Sequence, residues 1–295
     1  MNQSAGIARG AGMTSSLHTI ATGFVYPECP RWHDGQLWFA DQHDGLVHVL
    51  DGDGTRRDSF AVPGGPSGMG WRPDGDLLIV SMNDRKLFRR HRDGKLVLHA
   101  DLAGVHPFHS NDMVIDAHGR AYVGNIGFDF YAGQPPTPTV LAVVAPDGAV
   151  GIAAEGLMCP NGAVISPDGR TLVIAESMAA RITAFDIAAD GSLCSRRLFA
   201  AVDGHVPDGI CLDAEGHIWA ASPYEKTVLR ISPAGEIVER VVIPDANPYA
   251  CMLGGEDGRD LYICVAPHHD PEMTVKLRGG RIDVARAPAP GAGRP

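Results

Sequence analysis

Short runs of apolar residues follow a glycine turn six times along the chain. The pattern is plain at Asp74-Gly75, which precedes residues 77–80, and at Asp168-Gly169, which precedes residues 172–174. Asp-Gly is typical of two-residue β-hairpin turns, because both central positions of a type I′ turn need a positive φ. The turn glycines are about 45 residues apart, the period of a four-stranded propeller blade, and stand at positions 35, 75, 119, 169, 216 and 258.

The repeat predicts an all-β fold: a six-bladed β-propeller with four-stranded blades, spanning residues 16–287. The last copy has no fourth strand after residues 280–287, and residues 17–22 are suited to supply it. We therefore expect an N-terminal strand that closes the last blade. A β-helix or a two-domain sandwich is the alternative, but a unit of about 45 residues with four strands fits neither.

Two features lie outside the regular repeat. An insertion at residues 127–138 of the third copy contains aromatic residues and three prolines, and we expect it to form an ordered surface loop. Residues 1–15 and 288–295 fit no copy and are expected to be disordered tails.

Composition favours many short elements over a few long ones. The 295 residues include 36 Gly and 22 Pro, and 44% are hydrophobic, which argues against helical bundles and against disorder. The formal net charge is −10 with no cluster of basic residues, so no nucleic-acid partner is expected. The sequence shows neither a long apolar run nor a secretion signal, so we expect no membrane partner and a cytoplasmic protein.

Alignment of the six copies on their turn glycines predicts which side chains meet at one end of the central channel. The equivalent positions are Glu28, Ser67, Asn111, Asn161, Asp208 and Ala250. Two carboxylates and two carboxamides are hard oxygen donors of the kind that bind Ca²⁺, Mg²⁺ or Mn²⁺. The alternative is that each Asn or Asp caps its own turn. Capping, however, does not require four such side chains to face one axis.

Several short motifs together resemble the SMP-30/gluconolactonase/luciferin-regenerating-enzyme family of six-bladed propellers. They are PECPRW at residues 27–32, SND at 110–112, CPNG at 159–162 with SPDG at 166–169, and PDG at 207–209. The likeness extends over residues 17–287. This resemblance implies one divalent cation held by Glu28, Asn161 and Asp208, with Asn111 binding substrate or completing a further metal position. It also implies hydrolysis of lactones or related esters.

The resemblance therefore implies a divalent-metal-dependent hydrolase that acts on a small-molecule lactone or ester. The expected cofactor is one divalent cation, calcium first, with zinc, magnesium, manganese or iron as alternatives. Such an ion polarises a carbonyl and activates water. Asp208 is the expected catalytic residue, holding the metal with one oxygen and moving the proton of the water with the other. Glu28 is expected to be a ligand only, and no oligomeric state is predicted.

The chain departs from the family pattern just before Asn111. Sugar-lactone members commonly have Arg two residues before that Asn, where this chain has His109. We therefore predict that His109 contacts substrate and that residues 106–109 and 128–131 build a more apolar, aromatic rim. The alternative for both histidines of residues 106–109 is a solvated loop. Cys29 replaces the usual Gly after Glu28 and is interpreted as a buried, inert thiol, and the cluster at residues 268–270 as a loop feature.

Two other functions are compatible with the same oxygen donors. One is a propeller enzyme that acts on another cyclic substrate or on a phosphotriester. The other is a binding or regulatory propeller that holds a structural calcium ion. The donor set does not separate them, because a closed structural site and an open catalytic site use the same oxygens.

Overall fold

The computed structural model describes residues 17–295, and strands account for nearly all of its regular structure. Six antiparallel sheets form the blades of a six-bladed β-propeller, each blade with four strands. The predicted fold class is confirmed. The expected tail at residues 1–15 lies outside the described residues.

The first described strand, β1 (His18–Phe24), belongs to the last blade. From the channel outward, blade one contains β2 (Pro27–His33), β3 (Gln36–Asp41), β4 (Leu46–Asp51) and β5 (Arg56–Ala61). Blade two contains β6 (Pro66–Trp71), β7 (Leu77–Ser81), β8 (Lys86–Arg90) and β9 (Leu96–Asp101). Blade three contains β10 (Ser110–Ile115), β11 (Ala121–Asn125), β12 (Thr139–Val144) and β13 (Val150–Leu157).

The second half of the chain repeats this order. Blade four contains β14 (Pro160–Ile165), β15 (Thr171–Glu176), β16 (Arg181–Ile187) and β17 (Leu193–Ala201), with a short 3₁₀ turn at Ser177–Ala179. Blade five contains β18 (Ile210–Asp213), β19 (Ile218–Ser222), β20 (Thr227–Ile231) and β21 (Ile237–Val242). Blade six contains β22 (Asn247–Gly254), β23 (Asp260–Ala266), β24 (Gly280–Arg286) and β1, with helix α1 (Pro271–Leu277) between β23 and β24.

The N-terminal strand closes the ring, as the sequence predicts. β1 pairs antiparallel with β24, with His18 opposite Val284. The Thr19 hydroxyl donates a 2.6 Å hydrogen bond to Asp283 Oδ1 across the same pair. The last blade therefore takes strands from both ends of the propeller, which ties blade six to blade one.

The core lies between adjacent blades, where the apolar faces of two sheets meet. Between blades two and three, for example, the side chains of Leu78, Val80, Met113 and Val123 are fully buried. Alternation along β7 sends Leu78 and Val80 into this interface and Leu77 and Ile79 into the interface with blade one. Each such side chain contributes about 1.5–3 kcal/mol when fully buried, so the interfaces between blades keep the channel rigid.

The innermost strands of neighbouring blades approach closely around the channel. β2, β6, β10, β14, β18 and β22 contact one another in a closed ring. A Cβ on Gly162 would lie 2.5 Å from the backbone N of Ile210, and one on Gly209 would lie 2.3 Å from Ala250 Cβ. Because these glycines directly follow Asn161 and Asp208, the close approach fixes the strand ends that carry two of the predicted ligands.

The expectation of a disordered tail at residues 288–295 is not met. β25 (Gly291–Ala292) pairs antiparallel with β18, with Leu212 opposite Ala292. Ile165 and Arg294 exchange two backbone hydrogen bonds of 2.8 and 2.9 Å. The physical reason is that an innermost strand is a sheet edge with free backbone groups, and the tail satisfies some of them at the far ends of β14 and β18.

Two long loops lie at the end of the channel where the innermost strands begin. Residues 126–138 connect β11 with β12, and residues 267–279 connect β23 with β24. Asp129 Oδ1 accepts a 2.9 Å hydrogen bond from Ala132 N in the first loop, and Asp270 Oδ1 accepts one of 3.1 Å from Met273 N at the start of α1 in the second. Within residues 17–295, no helix is long and apolar enough to cross a membrane.

Candidate active site

A cavity of about 700 Å³, counted with its open mouth, lies where the innermost strands begin. Four of the six side chains that the glycine alignment selects line it, namely Glu28, Asn111, Asn161 and Asp208. The other two, Ser67 and Ala250, are buried and are not part of its wall. The structure thus brings all four predicted oxygen donors together.

A β-bulge near the start of the innermost strands directs these side chains. In β2, the register of pairing with β3 shifts between Glu28 and Arg31. β10 and β14 show the same shift after Ser110 and after Pro160. In β2 the bulge contains Cys29, whose φ is +48°. Because an extra residue on one strand re-aims its neighbours, the bulge explains how Glu28 reaches the cavity from a strand that otherwise packs into the core.

Glu28 is a buried carboxylate in the cavity wall. The backbone N–H of Cys29 donates a 2.8 Å hydrogen bond to its Oε2. Burial, followed by repulsion from Asp208, raises the pKa of Glu28 well above its ordinary range. A bound cation would oppose both effects, because it favours the charged form of the carboxylate.

Asn161 has an orientation that its neighbours determine. The Ser177 hydroxyl donates to the Pro207 carbonyl oxygen at 2.7 Å, so toward Asn161 its oxygen can only accept. Asn161 Nδ2 donates to Ser177 Oγ at 3.1 Å and also donates to Asp208 Oδ1. The amide nitrogen is therefore engaged by two acceptors, which leaves the amide oxygen as the group with which Asn161 would hold a cation.

Asp208 is the second carboxylate of the cavity. Its backbone N–H donates to the Ala221 carbonyl oxygen at 2.9 Å, which fixes the residue just before β18. Burial raises the pKa of Asp208 to about 8, although the hydrogen bond from Asn161 acts in the opposite direction. A nearby positive charge would therefore stabilise the ionised form of the Asp208 carboxyl group.

The donor set of the cavity fits a divalent cation. Its wall contains two carboxylates and no Lys or Arg among the described residues. Across residues 17–295, no three His, Cys, Asp or Glu side chains gather at metal-binding spacing, so further protein ligands here would be the amide oxygens of Asn161 and Asn111. Two like charges in one cavity wall favour protonation or a bound cation, and hard oxygen donors suit Ca²⁺, Mg²⁺ or Mn²⁺.

A buried ion pair supports the strands that carry these donors. Arg31 Nη2 lies 2.5 Å from Asp112 Oδ1, and the same guanidinium donates to the carbonyl oxygens of Met69 and Met113 at 2.8 Å. The pair joins β2, β6 and β10. Both charged residues belong to the motifs quoted above, but the spacing of those motifs does not reveal that they pair across blades.

The structure does not bring His109 to the cavity with the other predicted residues. Its ring stacks on Phe108 at 4.0 Å and lies 6.2 Å from the ring of Tyr131. It lines a neighbouring depression that shares Gln42, Met82 and Tyr131 with the cavity. His106 is fully buried, with Nδ1 2.8 Å from Ser110 Oγ, so the solvated-loop alternative does not describe it.

Aromatic rings complete the cavity wall. Phe130 and Tyr131 come from the insertion predicted to form an aromatic rim, whereas four further rings were not assigned to the site by sequence: Tyr26, Tyr224, Tyr249 and His269. Tyr26 and Tyr249 are one or two residues before aligned positions, which is a usable signal. Tyr224 and His269 lie in loops without periodicity, so no pattern selects them. Cys29 is buried and not part of the wall, as expected.

A family model described as the SMP-30/Gluconolactonase/LRE-like region matches residues 26–267. The chain belongs to the SMP-30/gluconolactonase/LRE-like family. The match begins just before Glu28 and includes all four oxygen donors of the cavity. The family membership that the motifs indicate is therefore confirmed.

Several members of the SMP-30/gluconolactonase/LRE-like family resemble this chain over most of its length. The 6-deoxy-6-sulfogluconolactonase of Pseudomonas putida is 26% identical, covering 92% of this chain and 94% of its own. The structure of a luciferin-regenerating enzyme superposes with a TM-score of 0.81 at 20% identity, covering 95% of this chain and 98% of its own. Regucalcin from Agrobacterium tumefaciens, described as a calcium-binding protein, has a TM-score of 0.74 at 25% identity and 92% coverage of both chains.

Proposed function

We propose that this protein hydrolyses a lactone in the cavity, with a divalent cation held by Glu28, Asn161 and Asp208. The observation that carries the proposal is the pair of carboxylates, buried Glu28 and half-buried Asp208, in a wall without Lys or Arg among the described residues. The lactonase from Pseudomonas putida supports the reaction class. The calcium-binding regucalcin supports a cation, with calcium as the first choice and zinc, magnesium, manganese or iron as alternatives.

Each polar residue of the cavity has its own role in the proposed reaction. When bound, the cation supplies Lewis-acid polarisation of the lactone carbonyl and lowers the pKa of water. Glu28 and Asp208 provide the negative charge that retains it, and Asn161 presents the amide oxygen that Ser177 leaves free. Asn111 lies in the same wall, and its amide N–H is the proposed donor to the carbonyl oxygen as negative charge develops.

Asp208 is the proposed catalytic residue. One of its carboxylate oxygens takes a proton from the attacking water and returns it to the alkoxide oxygen that leaves. The acyl C–O bond of the lactone breaks, a new C–O bond to the water oxygen forms, and the product is a hydroxy acid. The two steps need one group that first accepts and then donates a proton.

The proposal predicts that Glu28→Ala and Asp208→Ala each remove both cation binding and lactone hydrolysis. Removal of either carboxylate halves the negative charge of the site, so we expect cation affinity and kcat/KM to fall by more than about 100-fold. Titration calorimetry with Ca²⁺ on chelator-treated protein measures the first. A panel of sugar, aliphatic and aromatic lactones, assayed with and without added cations, measures the second.

Asp168→Ala is the matched control. Asp168, like Asp208, lies between a proline and a glycine in the sequence. Unlike Asp208, it is exposed and accepts a 2.6 Å hydrogen bond from Ser166, in a turn at the end of β14 far from the cavity. This variant should retain both cation binding and turnover. Hydrolysis that persists in both cavity variants and in chelator contradicts the proposal.

A binding or regulatory propeller with a structural cation is the second candidate, favoured by the calcium-binding relative. It predicts that chelator lowers the melting temperature while no lactone is hydrolysed by the cation-loaded protein. A neutral phosphotriester in the same panel tests the remaining enzyme alternative. Turnover of a lactone that depends on both carboxylates excludes the purely structural role.

A further inference from the structure

The side chains of the cavity wall are buried in its interior and exposed at its mouth. Glu28 and Asn111 are only 6% and 9% exposed, whereas Tyr131 and Tyr224 are 42% and 52% exposed. Large rings with this exposure surround the opening and leave apolar surface in contact with water. We call this set the aromatic rim and define it as Phe130, Tyr131, Tyr224 and His269.

The aromatic rim is a connected surface. Phe130 lies 5.6 Å from Tyr131 and 5.4 Å from His269, and His269 lies 6.0 Å from Tyr224, all measured between ring centroids. The three pairs are edge-to-face, an arrangement that attracts at these distances. The rings come from loops of blades three, five and six. The mouth is therefore a single aromatic surface assembled from three blades.

The loops that carry the rings are held by their own hydrogen bonds. The Asp129 N–H donates to Gln134 Oε1 at 3.1 Å, and Gly133 N donates to the Phe130 carbonyl oxygen at 3.1 Å. In the other loop, the Asp270 N–H donates to His268 Nδ1 at 2.9 Å. Preorganised rings lose little entropy when a ligand covers them, which suits them to bind rather than only to shield.

The cavity offers no partner for a negatively charged substituent. Its described wall contains no Lys or Arg. Burial, followed by the neighbouring His268, lowers the pKa of His269, so this imidazole is neutral at neutral pH. A divalent cation balances Glu28 and Asp208 and leaves no net positive charge. An anionic group would therefore lose its hydration without gaining an ion pair.

The cavity wall also contains apolar side chains that offer nothing to a substrate hydroxyl group. They are Ile126, Met178 and Val206, together with the Phe130 ring. None of these side chains donates a hydrogen bond, so hydroxyls placed against them would lose hydrogen bonds to water. An apolar substituent has no hydrogen bonds to water to lose, and the transfer of its surface out of water is favourable.

We propose that the substrate is an uncharged lactone with an aryl or bulky apolar substituent, bound with its ring at the oxygen donors and its substituent against the aromatic rim. This inference rests on the proposed lactone hydrolysis. It differs from the sulfogluconolactone in the name of the Pseudomonas putida relative. Tyr131 and Tyr224 are the residues to which it assigns specificity.

Three lactones that differ at one position test the substrate class. γ-Phenyl-γ-butyrolactone, γ-valerolactone and 5-oxotetrahydrofuran-2-carboxylate have the same five-membered ring with a phenyl, a methyl or a carboxylate group at the γ-carbon. We expect kcat/KM for the phenyl compound to exceed that for the methyl compound by about tenfold or more, and the carboxylate to be the poorest. A preference for the carboxylate, or for glucono-δ-lactone, overturns the inference.

Variants of the aromatic rim link the preference to particular rings. Tyr131→Ala and Tyr224→Ala should each lower the ratio of kcat/KM for phenyl over methyl by about threefold or more. The ratio cancels differences in cation loading or in the fraction of folded protein. Leu198→Ala, which removes a 60% exposed side chain from the outer strand β17, is the control and should leave the ratio unchanged. An unchanged ratio in both tyrosine variants contradicts the assignment.

A binding measurement separates failure of this inference from failure of the proposed function. Saturation-transfer NMR on chelator-treated protein should show γ-phenyl-γ-butyrolactone bound through its phenyl protons, and the Tyr131→Ala/Tyr224→Ala double variant should lose that signal. If no lactone is hydrolysed but the phenyl signal is present, the proposed function fails while the apolar binding site stands. Hydrolysis of all three lactones without phenyl preference, or no phenyl signal, rejects the inference alone.

Discussion

At the scale of single residues, Ser177 determines which atom of Asn161 is available to a cation. Its hydroxyl is committed to the Pro207 carbonyl oxygen at 2.7 Å, so it accepts from the Asn161 amide nitrogen. Ser177→Ala removes one of the two acceptors of the amide nitrogen and leaves only Asp208 Oδ1 to orient it. We expect Ca²⁺ affinity to fall by about 10- to 100-fold, as for other residues that orient metal ligands. Titration calorimetry on chelator-treated protein measures the change.

Ser166→Ala is a suitable control for the loss of a serine hydroxyl. Ser166 also makes a side-chain hydrogen bond, to Asp168, but in a turn at the opposite end of β14. Its removal should leave Ca²⁺ affinity within about twofold of the unmodified protein. Equal affinities for both serine variants would show that Ser177 does not position Asn161.

The sequence predicts single residues where the repeat constrains them and fails where loops intervene. Glu28, Asn111, Asn161 and Asp208 are found because the turn glycines set a common register for the six innermost strands. Ser177 is missed because it follows the second strand of blade four, outside that register. His109 is misplaced because it precedes β10, so the pleat of the strand does not determine where its ring lies.

At the scale of elements, the approach of β18 to β22 depends on the absence of a side chain at Gly209. A Cβ there would lie 2.3 Å from Ala250 Cβ and 2.6 Å from Ala250 Cα. Gly209→Ala forces the two strands apart beside Asp208. We expect a loss of roughly 1–3 kcal/mol, a fall in melting temperature of several degrees and weaker Ca²⁺ binding. Differential scanning calorimetry with and without Ca²⁺ checks both effects.

Gly104→Ala supplies the comparison for this substitution. Gly104 is exposed, has no positive φ and has no other atom within 4 Å of the position of a Cβ. The change should leave the melting temperature nearly unaltered. A Gly209→Ala variant that is as stable as Gly104→Ala and binds Ca²⁺ equally well would refute the role given to the strand contact.

The elements divide in the same way between predictable and unpredictable. The glycine period predicts all six blades and the closing strand β1, because each depends on a pattern that repeats. It does not predict the β-bulge at Cys29, since the extra residue leaves the alternation of apolar positions intact on either side. It also misses β25, because two residues that pair with the edge of β18 have no pattern of their own.

At the scale of the whole molecule, the ring brings together carboxylates that are 180 residues apart in sequence. Glu28 begins blade one and Asp208 begins blade five, and only closure of all six blades places both in one wall. Glu28 is buried and Asp208 is half-buried, and the charge of Asp208 raises the energy of ionised Glu28. Packing between blades must therefore offset the repulsion between the two carboxylates. The same two charges are what would attract a cation, so the site lowers stability in favour of function.

The desolvation of Asp208 predicts how the stability of the metal-free protein depends on pH. The pKa of Asp208 is raised to about 8 in the folded chain from an ordinary 3.8, so the folded state holds its proton more tightly than the unfolded state. The stability due to the protonated form is therefore fully present below about pH 4 and is lost as the pH rises through about 8. In chelator, we expect the melting temperature to fall between about pH 4 and pH 8.

Asp208→Asn isolates the contribution of this carboxyl, because groups common to both proteins cancel in the difference. The variant should be more stable than the unmodified protein at pH 9 by about 5 °C and closer to it at pH 6. Ca²⁺ should remove the dependence of melting temperature on pH only in the unmodified protein. There the bound cation balances the charges of Glu28 and Asp208, so protonation no longer stabilises the folded state. Parallel curves for the two metal-free proteins would mean that Asp208 ionises freely, and that the blades do not hold the carboxylates close enough to share a cation.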